Sequence, residues 1–192
     1  MLFSYGFLDS ATKNAGQIFL DLEIPRDDPL QLAKLAFIKD DLVPGVRLSM
    51  DSSGQQTHRD SPYIWWVCTM EEDGLDFDIL QTTNGEKQLR ATWKGEDIGS
   101  RDPHCLRDRL AEDPLWDVFQ LRAVVVILQR LEAQLSTLRQ VDDIISDFRR
   151  DEALFKSMFR PDVFDMVSRL RSLEADLLVR GIDELVQTVS HF

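Results

Sequence analysis

From Asp113-Pro114 to Val189 apolar residues recur at helical spacing almost without interruption, and this pattern most constrains the fold. Leu115, Val118, Phe119, Leu121, Val125, Leu128, Leu131, Leu135 and Leu138 fall largely on one wide stripe. That spacing predicts an amphipathic helix to about Arg139. Trp116 and Val124 to Ile127 widen the stripe, so the middle of this helix reads as buried on most sides. Residues 142–158 predict a second helix, which Arg160-Pro161 breaks. Asp162 then caps a third helix through Val189. Its stripe runs through Val163, Met166, Val167, Leu170, Leu173, Leu177, Leu178, Ile182, Leu185 and Val186. Gly181 lies inside it at a cost of about 1 kcal/mol relative to alanine. Three amphipathic helices joined by short connections predict an antiparallel bundle.

The first half of the chain is mixed. Gln17 to Ile24 alternates, with Ile18, Leu20, Leu22 and Ile24 on one face, which predicts a strand ended by Pro25. DDPLQLAKLAFIKDDL predicts a helix capped by Asp27 or Asp28, with Leu30, Ala33, Leu35 and Phe37 on its buried side. Val43-Pro44-Gly45 breaks it, and VRLSM reads as a short strand. DSSGQQTHRD, residues 51–60, reads as a polar, mobile loop. PYIWWVCTM suits helix or strand, with helix the favoured reading. Phe77 to Gln81 and Gln88 to Trp93 flank TTNGEK, and Asn84-Gly85 predicts a type I′ hairpin turn. The fold class is therefore mainly α, with a small β element made of a strand near 17–24 and a hairpin near 77–93.

Composition narrows the function. A 192-residue chain that is 43% hydrophobic suffices for one compact domain with a small satellite. A formal net charge of -12 opposes nucleic acid and anionic membrane surfaces, and favours a basic partner. Cys68 and Cys105 form no CxxC and no zinc spacing, which fits a reducing compartment. The first residues, MLFSYGFLDSATKN, lack the pattern of a signal peptide. The longest apolar run, Ala123 to Leu128, is far short of the roughly 20 residues of a membrane span. A cytoplasmic or nuclear protein is expected.

No constellation reads as a self-contained active site. His104-Cys105 and His58 do not make a metal set, and no glycine-rich phosphate loop occurs. A thiol enzyme built on Cys68 or Cys105 with His58 or His104 stays open as a remote reading. Glu71-Glu72-Asp73 and Asp142-Asp143 read as solvated faces rather than cation sites. Trp65, Trp66, Trp93 and Trp116 could cage a methylated lysine, but core roles are favoured.

The opening LFSYGF, the strand QIFLDLEI and the helix start DDP resemble the end of the SET domain in the Rubisco large-subunit methyltransferase-like family. There a short helix ending in YGF precedes a strand ending in LEI. The stretch FRRDEALFKSMFRPDVFDMVSRLRSLEADLLVRGIDEL resembles that family's C-terminal helical region, and IWWVCTMEEDGLDFDILQT with DPLWDVFQLRAVV looks like its fungal members. The resemblance implies residues 1–24 as the end of a SET domain and residues 25–192 as a helical substrate-binding domain. It implies a protein-lysine methyltransferase that takes its methyl group from S-adenosylmethionine. Tyr5 would line the lysine channel, and Phe7 would lie near the cofactor's adenine. The family's cofactor-binding segment, its NHS-type motif and its main catalytic tyrosine all lie upstream of YGF. The resemblance thus implies a chain that binds no cofactor alone and recognises a protein substrate, a basic one such as a ribosomal protein or histone. Leu2, Phe3, Ile18 and Leu20, with Phe7, are expected to form an apolar face covered by a SET domain or by another protein. The alternative is a stand-alone interaction module that has lost catalysis.

Overall fold

The computed structural model describes residues 16–38, 44–51, 56–81, 83–99, 102–150, 155 and 160–190. Helix makes up 57% of the described residues, with two small antiparallel three-stranded sheets, so the fold is mainly α with a small β element. In chain order the elements are β1 (Gln17–Asp21), α1 (Gln31–Ile38), β2 (Gly45–Met50), β3 (Thr57–Asp60), α2 (Ile64–Cys68) and a 3-10 turn (Glu71–Asp73). Then come β4 (Leu75–Gln81), β5 (Lys87–Trp93), β6 (Glu96–Asp97), α3 (Pro103–Ala111), α4 (Trp116–Arg149) and α5 (Pro161–Val189). One sheet has the order β1-β2-β3 and the other β4-β5-β6.

The chain forms two compact units, each assembled from separate stretches. One comprises Met1–Phe19, Arg47–Arg59 and Leu128–Ser190; the other is mainly Leu20–Val46 and Asp60–Ile127. The expected boundary at residue 24 rests mostly on residues 1–15, which lie outside the described ones.

In the second unit, Leu20, Leu22 and Ile24 are buried at the period-2 spacing read for the strand, although β1 itself stops at Asp21. The Leu22 amide instead donates to the Pro44 carbonyl at 2.7 Å. α1 departs from the expected face. Leu35 is 48% exposed, whereas Lys34 is fully buried. The cause is polar. The Lys34 ammonium donates to the Asp28 carboxylate and, at 2.6 Å, to the Thr69 carbonyl. The other Asp28 oxygen accepts the Leu30 amide at 2.8 Å. Turning Lys34 inward puts Phe37 against Trp66 and Phe77, at ring distances of 5.0 and 5.6 Å.

The predicted hairpin forms as β4-β5, with Gln81 paired to Lys87, but its turn is not type I′. Gly85 alone there, among the described residues, has positive φ. The signature of two successive positive φ values falls at Lys94-Gly95, where β5 turns into β6 and Trp93 pairs with Glu96. Asp113 then separates α3 from α4. Its carboxylate accepts from Lys94 at 2.5 Å and from the Leu115 amide at 2.9 Å, and these two bonds hold it below the usual carboxylate range.

In the first unit the expected helix break after Arg139 is absent, and α4 runs on as one 34-residue helix. Gln140 and Val141 contain no breaker, and Arg171 of α5 braces this stretch by donating to the Leu138 carbonyl at 2.6 Å and to Asp142 at 3.0 Å. The remainder of the expected 142–158 helix lies largely outside the described residues. Within the polar 51–60 segment, Thr57–Asp60 is a strand rather than loop, and residues 52–55 lie outside the described ones. Glu184 of α5 holds that strand by accepting the Thr57 amide at 2.9 Å and the Thr57 hydroxyl at 2.5 Å. Gly181 gives room for this packing. A Cβ there would stand 2.9 Å from Leu48 Cδ2 and 3.3 Å from Leu131 Cδ1.

Two stability measurements test this packing. Lys34→Met should lower the urea unfolding free energy by about 3–5 kcal/mol, because it strands the Asp28 charge. Pairing it with Asp28→Leu should recover most of that loss, and no recovery would refute the account. Gly181→Ala should not return the about 1 kcal/mol that helix propensity alone offers. Gly181→Val should cost about 1–3 kcal/mol through overpacking.

Candidate functional site

The four tryptophans do not converge. Trp66 is fully buried with Phe37 and Phe77, and Trp93 is buried edge-on to Phe119 at 5.8 Å. Trp65 and Trp116, both half-buried, stack on each other at 5.0 Å. These are packing contacts in separate places, and no cage is built.

The thiols are equally unpromising. Cys68 is buried, and burial pushes its pKa up to about 12, so it stays a neutral thiol near neutral pH. Cys105 is half-buried, and His104 is an exposed residue at the start of α3. His58 lies exposed on β3. The acidic runs are partly engaged in structure. Asp73 accepts from Arg122 at 2.6 Å and from the Met70 amide at 2.8 Å, and Asp142 pairs with Arg171. Among the described residues no group of three His, Cys, Asp or Glu side chains could hold a metal ion. Among those residues, too, no helix is long and apolar enough to cross a membrane.

Tyr5, Phe7, Leu2 and Phe3 lie outside the described residues. Leu20 is only 5% exposed and Ile18 is half-buried, so neither supplies the free apolar face expected of it. On β1 it is Phe19, 52% exposed, that faces solvent.

The feature that sequence reasoning missed is a groove along α4 and α5 within the first unit. Contacts run Leu131 to Gly181, Gln134 to Glu174 and Leu138 to Arg171, so the two helices are antiparallel. Leu131, Leu135 and Leu138 of α4 and Leu177, Leu178 and Leu185 of α5 are all buried. Beside it runs a groove of about 390 Å³. Glu132, Leu135, Ser136, Arg139, Gln140 and Asp143 line it from α4, at the spacing of a single helical stripe. Val179, Ile182 and Asp183 line it from α5. Leu135 forms an apolar floor, and the charged side chains stand exposed at the rim. A second, smaller cavity of about 140 Å³, in the other unit, is lined by Phe37, Leu80 and Leu89 beside the strand β5. No sequence signal could have announced the groove, because its two walls lie some forty residues apart and each reads alone as an ordinary amphipathic helix.

Comparison with family models, curated proteins and solved structures finds no match to this chain.

The thiol reading can be tested directly. With iodoacetamide near pH 8 the folded chain should be alkylated at Cys105, while Cys68 reacts only after denaturation. The fold raises the Cys68 pKa from 9.0, so the stability tied to its neutral form is complete below 9.0 and declines as pH climbs towards about 12. Rapid alkylation of Cys68 in the folded state would reopen a nucleophilic role.

Proposed function

We propose that this chain is a protein-docking module: the substrate-recognition part of a SET-type protein-lysine methyltransferase of the Rubisco large-subunit methyltransferase kind, not catalytic alone. The observation that carries the docking part is the α4–α5 groove, an apolar floor rimmed by charge on two helices. Binding sites set on helices are held more precisely than sites on loops. The methyltransferase part is supported by the order of LFSYGF, QIFLDLEI, DDP and the arginine-rich C-terminal stretch along the sequence.

On this reading S-adenosylmethionine belongs to the complete enzyme and supplies the methyl group. Tyr5 lines the lysine channel and Phe7 lies near the adenine. Both are outside the described residues, and no step of methyl transfer falls to the described ones. The partner is a folded protein with a basic surface, and the compartment is cytoplasmic or nuclear.

Intact-mass measurement of the endogenous protein, immunoprecipitated from its source, tests the reading. A species some hundreds of residues longer is expected, and in it Tyr5→Phe should slow methyl transfer while leaving the affinity for S-adenosylmethionine unchanged. The isolated chain should show no calorimetric signal with that cofactor. A native species of 22.1 kDa would overturn the methyltransferase assignment and leave a stand-alone interaction module.

A further inference from the structure

An antiparallel helix pair covers each helix on one side and leaves a furrow along the seam. The furrow here is lined on α4 from Glu132 to Asp143. At 1.5 Å per residue that is about 16 Å, the length of roughly three helical turns. We propose that it seats a third helix, an amphipathic segment of a partner protein with lysine or arginine on both sides of an apolar stripe. The inference rests on the docking reading above and is independent of the methyltransferase assignment.

Shape and chemistry agree on this occupant. Ridges of a third helix fit the groove between two others, and an amphipathic helix laid into such a groove buries its apolar face. Leu135, Val179 and Ile182 offer the apolar contacts. Three carboxylates, Glu132, Asp143 and Asp183, stand against one cation, Arg139. None of these four makes an ion pair among the described residues, whereas the neighbouring Asp142 is held by Arg171 and Glu174 accepts from Gln134 at 3.1 Å. Among the described residues the rim charge therefore has no ion-pair partner, and it suits a partner of opposite sign.

The sign of the rim decides between occupants. Nucleic acid and anionic lipid would meet repulsion from it. A second copy of this chain, with its net charge of -12, would set carboxylates against carboxylates. A basic amphipathic helix meets complementary charge at both edges and an apolar floor between them.

The test uses the full chain and a fluorescein-labelled helical peptide of about fourteen residues, with leucine at i, i+3, i+4 and i+7 spacing and lysine elsewhere, read by fluorescence anisotropy. Two control peptides replace every lysine with glutamate, or scramble the order at constant composition. The lysine peptide should bind at least about tenfold tighter than either control. Glu132→Lys with Asp183→Lys should weaken it by about tenfold or more, and Glu71→Lys with Glu72→Lys, an equal charge change on the exposed 3-10 turn of the other unit, should leave it within about twofold. Arg139→Glu should tighten binding by about threefold, a gain that no loss of fold can imitate.

Equal binding of the scrambled peptide, or equal loss in the Glu71/Glu72 variant, would reduce the effect to general attraction and overturn the proposal. Preference for the glutamate peptide, or no binding at about 100 µM protein, would do the same. So would sedimentation that shows a dimer dispersed by the Glu132/Asp183 variant, which would make a second copy the occupant.

Discussion

A lysine ammonium with none of its side chain open to solvent demands partners, and Lys34 has two, one six residues before it and one 35 residues beyond. The Asp28 carboxylate neutralises it and the Thr69 carbonyl accepts from it, so the turn before α1, α1 itself and the end of α2 meet at one point. Leaving either charge alone in that place would cost several kcal/mol, which makes the arrangement close to obligatory once formed. Its consequence is rotational. With Lys34 turned inward, Phe37 lies one turn further along the same side, where Trp66 and Phe77 complete an aromatic cluster at 5.0 to 6.2 Å. That cluster carries β4, and through it the hairpin. Leu35 is left outside as the geometric price of the same rotation.

The other unit is organised by a missing side chain and a carboxylate. Gly181 lets Leu48 and Leu131 close on α5, and one turn later Glu184 takes the Thr57 amide and hydroxyl. Arg171 does similar work nearer the start of α5, spanning the Leu138 carbonyl and Asp142. These contacts fix two long helices side by side. The groove lies beside that pairing, lined by Leu135 of α4 and by Val179 and Ile182 of α5. What is distinctive is the chemistry left on its rim, where acidic side chains outnumber basic ones and have no partners among the described residues.

Much of the framework was legible in advance. The stripes that placed Leu131, Leu135, Leu138, Leu177, Leu178 and Leu185 inside are the observed core of the helical pair. The strands of the β4-β5 hairpin lie within two residues of their expected ends. The errors have specific causes. The hairpin turn does fall at Asn84-Gly85, but only Gly85 has positive φ there, and the two successive positive φ values of a type I′ turn occur at Lys94-Gly95. Thr57–Asp60 shows no apolar alternation, so its strand could not be read until β2 and Glu184 were beside it. The break expected after Arg139 had no glycine or proline behind it, and α4 continued. The site was less legible than the fold. The residues singled out by resemblance at the start of the chain lie outside the described ones, and Leu20 turned out to be buried.

By itself the sequence determined that this protein is mainly helical, where its apolar stripes run, which segments make the central hairpin, and that its charge is strongly negative. Those properties are local or additive, since periodicity and net charge need no knowledge of neighbours in space. The tertiary structure alone decided which side of α1 faces inward, that a polar segment becomes a strand, and that a groove rimmed mostly by carboxylates lies along α4 and α5. Each depends on groups far apart in the chain: Lys34 and Thr69 are 35 residues apart, and Thr57 and Glu184 are 127 apart. A buried charge or a strand edge is satisfied by whichever partner the fold brings near, and no local pattern specifies that partner.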